Sequence, residues 1–254
     1  MYGGLRGKRI LITRPRAQGG RLEEAIATLG GEVLWIPAIE TVAVPPDEAG
    51  WSALKDLGRF GWVAFTSENA LRFFLLHLQS AAITLPKGLR VASVGASTSR
   101  SCQEAGMTVT AQPKVFTGAE LGRHLAAEFR PASLLLPRGA SGRDDLADVL
   151  RAAGWDVVPV TCYRTQPAPM TSEHIWQIEQ GVDAAVFASP SAVTALWDAI
   201  PETARDALRR AYCLPIGPST AQALSSVGLS PGALPEESTV DGLMGALTLH
   251  FSGG

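Results

Sequence analysis

Apolar residues recur along this chain in short runs, each followed by a polar turn and then by apolar positions spaced three and four apart. "KRILITRP", "WVAFTS", "RVASVG", "SLLLPRG", "AAVFAS" and "YCLPIG" are such runs. The run is a strand signal and the spacing after it a helix signal. Two helices are marked most clearly: Leu22, Ile26 and Leu29 share one face, as do Leu146, Val149 and Leu150. Gly30 and Gly154 follow as stops, where glycine is the residue that tolerates a left-handed turn. Strands alternating with helices predict an α/β fold built on parallel sheets.

The pattern occurs twice. "VASVGASTSRSCQEAGMTV" (91–109) matches "YCLPIGPSTAQALSSVGLSP" (212–231), and "WVAFTSENALRFFL" (62–75) matches "AAVFASPSAVTALW" (184–197). One offset serves both pairs, 122 residues, from Gly95 to Gly217 (217 − 95) and from Phe65 to Phe187 (187 − 65). A third pair, 8–41 and 132–165, shares the plan of strand, Arg-containing turn, helix, glycine stop and second strand. Each copy is about 120 residues, an ordinary domain size.

Two further segments read as extended, Val33 to Val44 and Val157 to Pro169. Both are rich in β-branched residues and punctuated by proline, which suits edge or linking strands. They predict a connector between two lobes able to move about it.

Composition narrows the chemistry. The 254 residues are 46% hydrophobic and carry a net charge of −2. Mean hydropathy is +0.13, and no window approaches a membrane span. With no apolar segment before the first strand, a soluble, cytoplasmic protein is expected. Cys102, Cys162 and Cys213 are odd in number and far apart, so they read as buried small hydrophobes rather than a disulfide framework. The four histidines never reach metal-ligand spacing. No basic stripe suits nucleic acid, but 18 of the 22 cationic residues are arginine, which favours carboxylate or phosphate ligands as much as it reflects genome bias.

The polar turns carry what chemistry there is: "TRPRAQGG", "TSENA" and "GASTS" in one copy, "PRGASGRD", "SPSA" and "GPST" in the other. In a parallel sheet these turns fall at the carboxyl ends of the strands, where α/β proteins place ligands. Neither GxxxxGK[ST] nor GxGxxG occurs at any of them, which argues against a nucleotide-dependent Rossmann enzyme. Each turn reads as a helix cap or as part of an anion-binding rim. Two such rims predict a cleft for a ligand with many carboxylates.

Taken in order, "ILITRPRAQ", "VAFTSENA", "VASVGAST", "LLLPRGASGRDDLADVLRAAGWDVVPVTCYRT", "VFASPSAV" and "LPIGPSTAQAL" resemble the uroporphyrinogen-III synthase family over nearly the whole chain. The resemblance implies two similar α/β domains, each a parallel sheet flanked by helices, joined by a two-stranded β connector. It assigns residues 1–37 with 168–254 to domain 1 and 40–165 to domain 2, with connector strands at about 33–44 and 157–167. The sequence by itself does not choose between linear and interleaved halves.

The implied reaction cyclises hydroxymethylbilane to uroporphyrinogen III with inversion of ring D through a spiro intermediate, without cofactor or metal. Tyr163 matches the family's proton donor to the departing hydroxyl. Thr66, Ser67, Ser97, Thr98, Ser189, Ser191, Ser219 and Thr220, with the backbone N–H groups of their turns and of Gly139 and Gly217, would hold carboxylates, and Arg14 and Arg138 would supply charge. A monomer is expected, with no nucleic acid or membrane partner and at most transient contact with the preceding pathway enzyme. The rival reading is a two-lobed cytoplasmic module that binds an anionic metabolite without chemistry.

Overall fold

The computed structural model describes residues 4–15 and 20–252. Within it the chain forms two compact units, Met1–Glu40 with Gln166–Gly254, and Thr41–Thr165. Part of the "TRPRAQGG" turn, residues 16–19, lies outside the described residues.

The first unit holds β1 (Arg9–Ile12), α1 (Gly20–Thr28), β2 (Glu32–Trp35), α7 (Ser172–Glu179), β9 (Ala184–Phe187), α8 (Pro190–Ala199), α9 (Glu202–Arg210), β10 (Tyr212–Pro215), α10 (Pro218–Ser226) and α11 (Val240–Ser252). Its four strands lie in the order β10-β9-β1-β2, all parallel. Register places Ile10, Leu11 and Ile12 of β1 beside Ala184, Ala185 and Val186 of β9. The alternation of strand side chains then splits the core in two. Leu11, Leu34, Ala185, Phe187 and Cys213 pack with α8, α9 and α10 residues on one face. Ile10, Ile12, Trp35, Ala184, Val186 and Leu214 pack with Leu22, Ile26, Leu243 and Leu247 on the other. Both faces are covered, so the strands are apolar except at their amino ends, where β1 carries Arg9 and β2 Glu32.

The second unit holds α2 (Glu48–Lys55), β4 (Trp62–Phe65), α3 (Glu68–Ser80), β5 (Arg90–Ser93), α4 (Ala96–Glu104), β6 (Val109–Ala111), α5 (Gly118–Glu128), β7 (Ser133–Gly139), α6 (Asp145–Ala152) and most of β8 (Asp156–Pro167). Together with β3 (Ile39–Ala43), its strands lie in the order β3-β8-β7-β4-β5-β6. The inner order β8-β7-β4-β5 repeats β2-β1-β9-β10 of the first unit. Val63, Phe65, Val91 and Leu135 face one half of the core, and Trp62, Ala64, Ala92, Leu134 and Leu136 the other.

The 122-residue offset holds element by element: β4 and β9, β5 and β10, α4 and α10, α5 and α11 all begin that far apart. For β1 with β7 and β2 with β8 the offset is 124 (133 − 9; 156 − 32). Gly30 and Gly154 end α1 and α6 with φ of 80° and 82°, as their role as stops requires. Leu29 falls one residue beyond α1.

The extended segment 33–44 is two strands rather than one, broken between Trp35 and Ile39 around Pro37. Val157 to Pro167, by contrast, lies within the continuous strand β8, bulged against β7 at Arg138/Gly139. Val44 N–H donates to Cys162 O, and Ala168 N–H to Ala38 O, so β3 runs antiparallel to β8. Both strands cross the division between the units.

Candidate active site

In the second unit the carboxyl ends of β4, β7 and β8 bring together five of the residues singled out above. Thr66 and Ser67 follow β4, Arg138 and Gly139 end β7, and Tyr163 lies in β8 beside Gly139. Thr66, Arg138, Gly139 and Tyr163 line a cavity of about 230 Å³, together with Phe116, Thr117 and Gly142.

The Tyr163 ring is held by two close neighbours. Phe73 of α3 stacks on it at 5.2 Å between centroids and 20° between planes. Gly139 lies against it so closely that a Cβ there would fall 2.8 Å from a ring carbon and 3.2 Å from the hydroxyl oxygen. The phenol oxygen sits 3.2 Å from Ser67 Oγ. Ser67 is the N-cap of α3, its Oγ accepting from Ala70 N–H at 3.1 Å.

Arg138 is mostly buried and ion-paired through Nη1 with Asp144. Asp144 occupies the N-cap position of α6, but its side chain makes no cap bond there. Beside it, Arg143 is exposed and pairs with Asp145 at 3.4 Å.

The first unit presents the matching strand ends. Arg14 follows β1, and its Nε is buried with no hydrogen-bond partner among the described residues. Burial lowers its pKa from the usual arginine value, the sign of a charge losing water without a compensating anion. Ser189 caps α8 through Ala192 N–H at 3.2 Å and meets Ser191 Oγ at 3.0 Å.

The hydroxyl turns divide into two kinds. Ser67 and Ser189 are caps. At "GASTS" and "GPST" the N-cap is instead Gly95 or Gly217, with no side-chain cap bond, which leaves first-turn N–H groups without a capping oxygen. Ser97 and Ser219 are exposed in those first turns. Thr98 and Thr220 are 4% and 1% exposed, so their hydroxyls are packed inward, and the Thr220 N–H already donates to Gly217 O at 3.1 Å.

The sequence reading missed Phe73, Asp144 and Ser238. Phe73 sits inside the apolar run "LRFFLL" and looks like any core residue. Asp144 belongs to "GRDD", which reads as a solvated charge run. Ser238, which donates to Ile216 O at 2.9 Å beside Gly217, carried no signal at all.

A larger cavity, about 830 Å³, lies along α11 and is lined by Tyr212, Leu234, Leu249 and His250 with Glu236, Glu237 and Asp241. Three carboxylates suit a polycarboxylate ligand poorly, so its size does not make it the site. Among the described residues no cluster of His, Cys, Asp and Glu could hold a metal ion, and no helix is long and apolar enough to cross a membrane. All three cysteines are free and buried.

Comparison with known proteins agrees over most of the chain. The family described as "HEM4: Uroporphyrinogen-III synthase HemD" matches residues 20–245. Uroporphyrinogen-III synthase of Chlorobaculum parvum is 28% identical over 90% of this chain and 93% of its own. The porphyrin biosynthesis protein HemD of Ruminiclostridium josui is 27% identical over 98% of this chain, which spans about half (49%) of that relative's length. Two solved structures share the fold: the Helicobacter pylori synthetase, with TM-score 0.64, 16% identity and coverage of 97% and 100% of the two chains, and a mutant Thermus thermophilus synthase, with TM-score 0.58, 21% identity and coverage of 98% and 100%. The chain therefore belongs to the uroporphyrinogen-III synthase family, hydro-lyases of tetrapyrrole biosynthesis.

Proposed function

We propose that this chain converts hydroxymethylbilane to uroporphyrinogen III, with Tyr163 as the proton donor. The observation that carries the assignment of roles is the Tyr163 phenol, stacked on Phe73 and close against Gly139 at the edge of a cavity that also holds Arg138. The phenol's proton passes to the hydroxymethyl oxygen as the C–O bond breaks, releasing water and leaving an electrophilic azafulvene. Ring D attacks through its substituted carbon to give the spiro intermediate, which fragments and recloses. The proton lost from the pyrrole carbon at final closure returns to the phenolate, so the sum is loss of one water.

The bilane also closes without help, giving the uninverted isomer, so the protein's main task is to hold one conformation. Its carboxylates are assigned to the polar turns of each unit. Arg138, Thr66 and the Gly139 N–H serve in one. Arg14, Ser189, Ser191, and the hydroxyl and backbone N–H of Ser219 serve in the other, with Ser97 and the first turn of α4 as a further anchor. Arginine beside open N–H groups is a natural carboxylate seat. Three free thiols suit a reducing, cytoplasmic setting.

The test is an isomer analysis. With bilane generated in situ and the products oxidised and separated, type III uroporphyrin should dominate. Type I alone, at the rate seen without protein, would reduce the cavity to a binding site for polycarboxylates.

A further inference from the structure

We infer that Ser67 is a positioning residue, which turns the Tyr163 proton outward through a directed hydrogen-bond chain that starts at the Ala70 amide. The inference rests on Tyr163 as the proton donor and adds how its proton is kept available.

Ser67 Oγ carries one proton and two acceptor positions. One acceptor position is taken by Ala70 N–H, at 3.1 Å, a bond whose direction is fixed because an amide only donates. The other close partner is Tyr163 Oη at 3.2 Å. If the phenol donated to Ser67, the proton needed for the substrate would be spent inside the protein. The serine proton would then require another acceptor, and none is found for Ser67 Oγ among the described residues. If Ser67 donates instead, every proton is used once and the phenol O–H stays free. The order is Ala70 N–H to Ser67 Oγ, Ser67 O–H to Tyr163 Oη, and Tyr163 O–H to the departing hydroxyl. Each link polarises the next.

The same chain answers what happens after transfer. The phenolate left behind receives the Ser67 O–H as a charge-assisted bond, stronger than the neutral one it replaces. The serine in turn is held at the N-terminus of α3, whose unpaired amides carry a partial positive charge. Interactions that strengthen only as charge develops lower the barrier without tightening substrate binding.

Geometry leaves the phenol little other freedom. Ser67 and Phe73 both belong to the α3 segment, so one helix sets the hydroxyl partner and one ring face, and Gly139 lies close against the ring and its hydroxyl. Only rotation of the O–H about its own bond remains, and the serine decides it.

The experiment measures kcat and KM for type III formation by the full chain, with three serine substitutions made alone and on Tyr163→Phe. Ser67→Asp keeps an excellent helix cap but offers the phenol only an acceptor, which draws its proton inward. It should lower kcat about tenfold with KM within about twofold and Tm unchanged. Ser67→Ala should lower kcat similarly, and Ser67→Thr should restore most of what Ser67→Ala removes. On Tyr163→Phe, Ser67→Asp should cost nothing further. Full activity of Ser67→Asp, or an equal loss with and without the phenol, overturns the chain while leaving Tyr163 as the donor. Full activity of Tyr163→Phe overturns the donor and the chain together.

Discussion

Arg14 and Arg138 follow or end equivalent strands, β1 and β7, and their surroundings could hardly differ more. Arg138 is already neutralised, its guanidinium held by Asp144. Arg14 is partly buried and meets no anion among the described residues. The same divergence appears further along, where the residue at the 124-residue offset from Tyr163 is Ile39, at the start of β3 and packed against the apolar core of its unit. Strand order, both core layers and the glycine stops are common to the two units; the charge balance and the phenol are not. A parallel sheet covered on both faces dictates what lies inside its strands and leaves the residues just past their ends free to diverge.

Tyr163→Phe should give the largest effect, a fall in kcat of about ten- to a hundredfold with little change in Tm, measured as the rate of type III formation. Ile39→Phe should leave that rate nearly untouched, because no phenol is lost. Next in size is Gly139→Ala. The new methyl meets the Tyr163 ring at 2.8 Å, so the ring shifts, kcat falls about tenfold, and unfolding becomes about 1–3 kcal/mol easier.

Substitution of the arginines separates the two rims. Arg14→Gln should raise KM about three- to tenfold without loss of Tm, since it removes a desolvated charge that has no partner among the described residues. Asp144→Asn should lower KM by about two- to threefold, because it frees Arg138 for a substrate carboxylate. A higher KM for Asp144→Asn would mean that the aspartate orients Arg138 rather than competing for it. Gly30→Ala and Gly154→Ala should each cost about 1 kcal/mol of stability, to similar extents, which would show that the shared features are energetically shared as well.

The thiols give a pH dependence common to both units. Burial pushes Cys162 and Cys213 up to about 12 and Cys102 to about 11. The unfolded chain releases the same protons near pH 8.5, so between about pH 8.5 and 11 the folded state holds more of them. Stability therefore falls as pH rises through that window. A Tm series at pH 7.5 and 9.5 should show the drop, and Cys→Ala variants should flatten it.

What the sequence made legible follows the same division. Apolar runs, glycine stops and the repeat mark elements because burial imposes them residue by residue. Helix α9 was less visible: at the 122-residue offset it faces "SAAITLPKG", where Pro86 and Gly88 forbid a helix, so the repeat itself misleads there. Site chemistry was harder still. Tyr163 emerged only through the family resemblance, because a lone tyrosine in a strand looks like packing. Gly139 also makes room for the Tyr163 ring, a role that only tertiary contact reveals. Thr98 and Thr220 shared a motif with exposed serines, yet helical phase turned them inward.

The crossing of β3 and β8 between the units also sets a timetable for synthesis. Thr41–Thr165 is a continuous stretch, complete as soon as its last residue has left the ribosome. The unit begun by the first forty residues must wait, because Ile10, Leu11 and Ile12 find their β9 neighbours only after Val186 has been made. At the usual pace of translation that interval is on the order of ten seconds. During it an apolar strand of the nascent chain has β2 beside it but lacks its other neighbour in the sheet, and the demand for a chaperone falls on the first strand rather than the last.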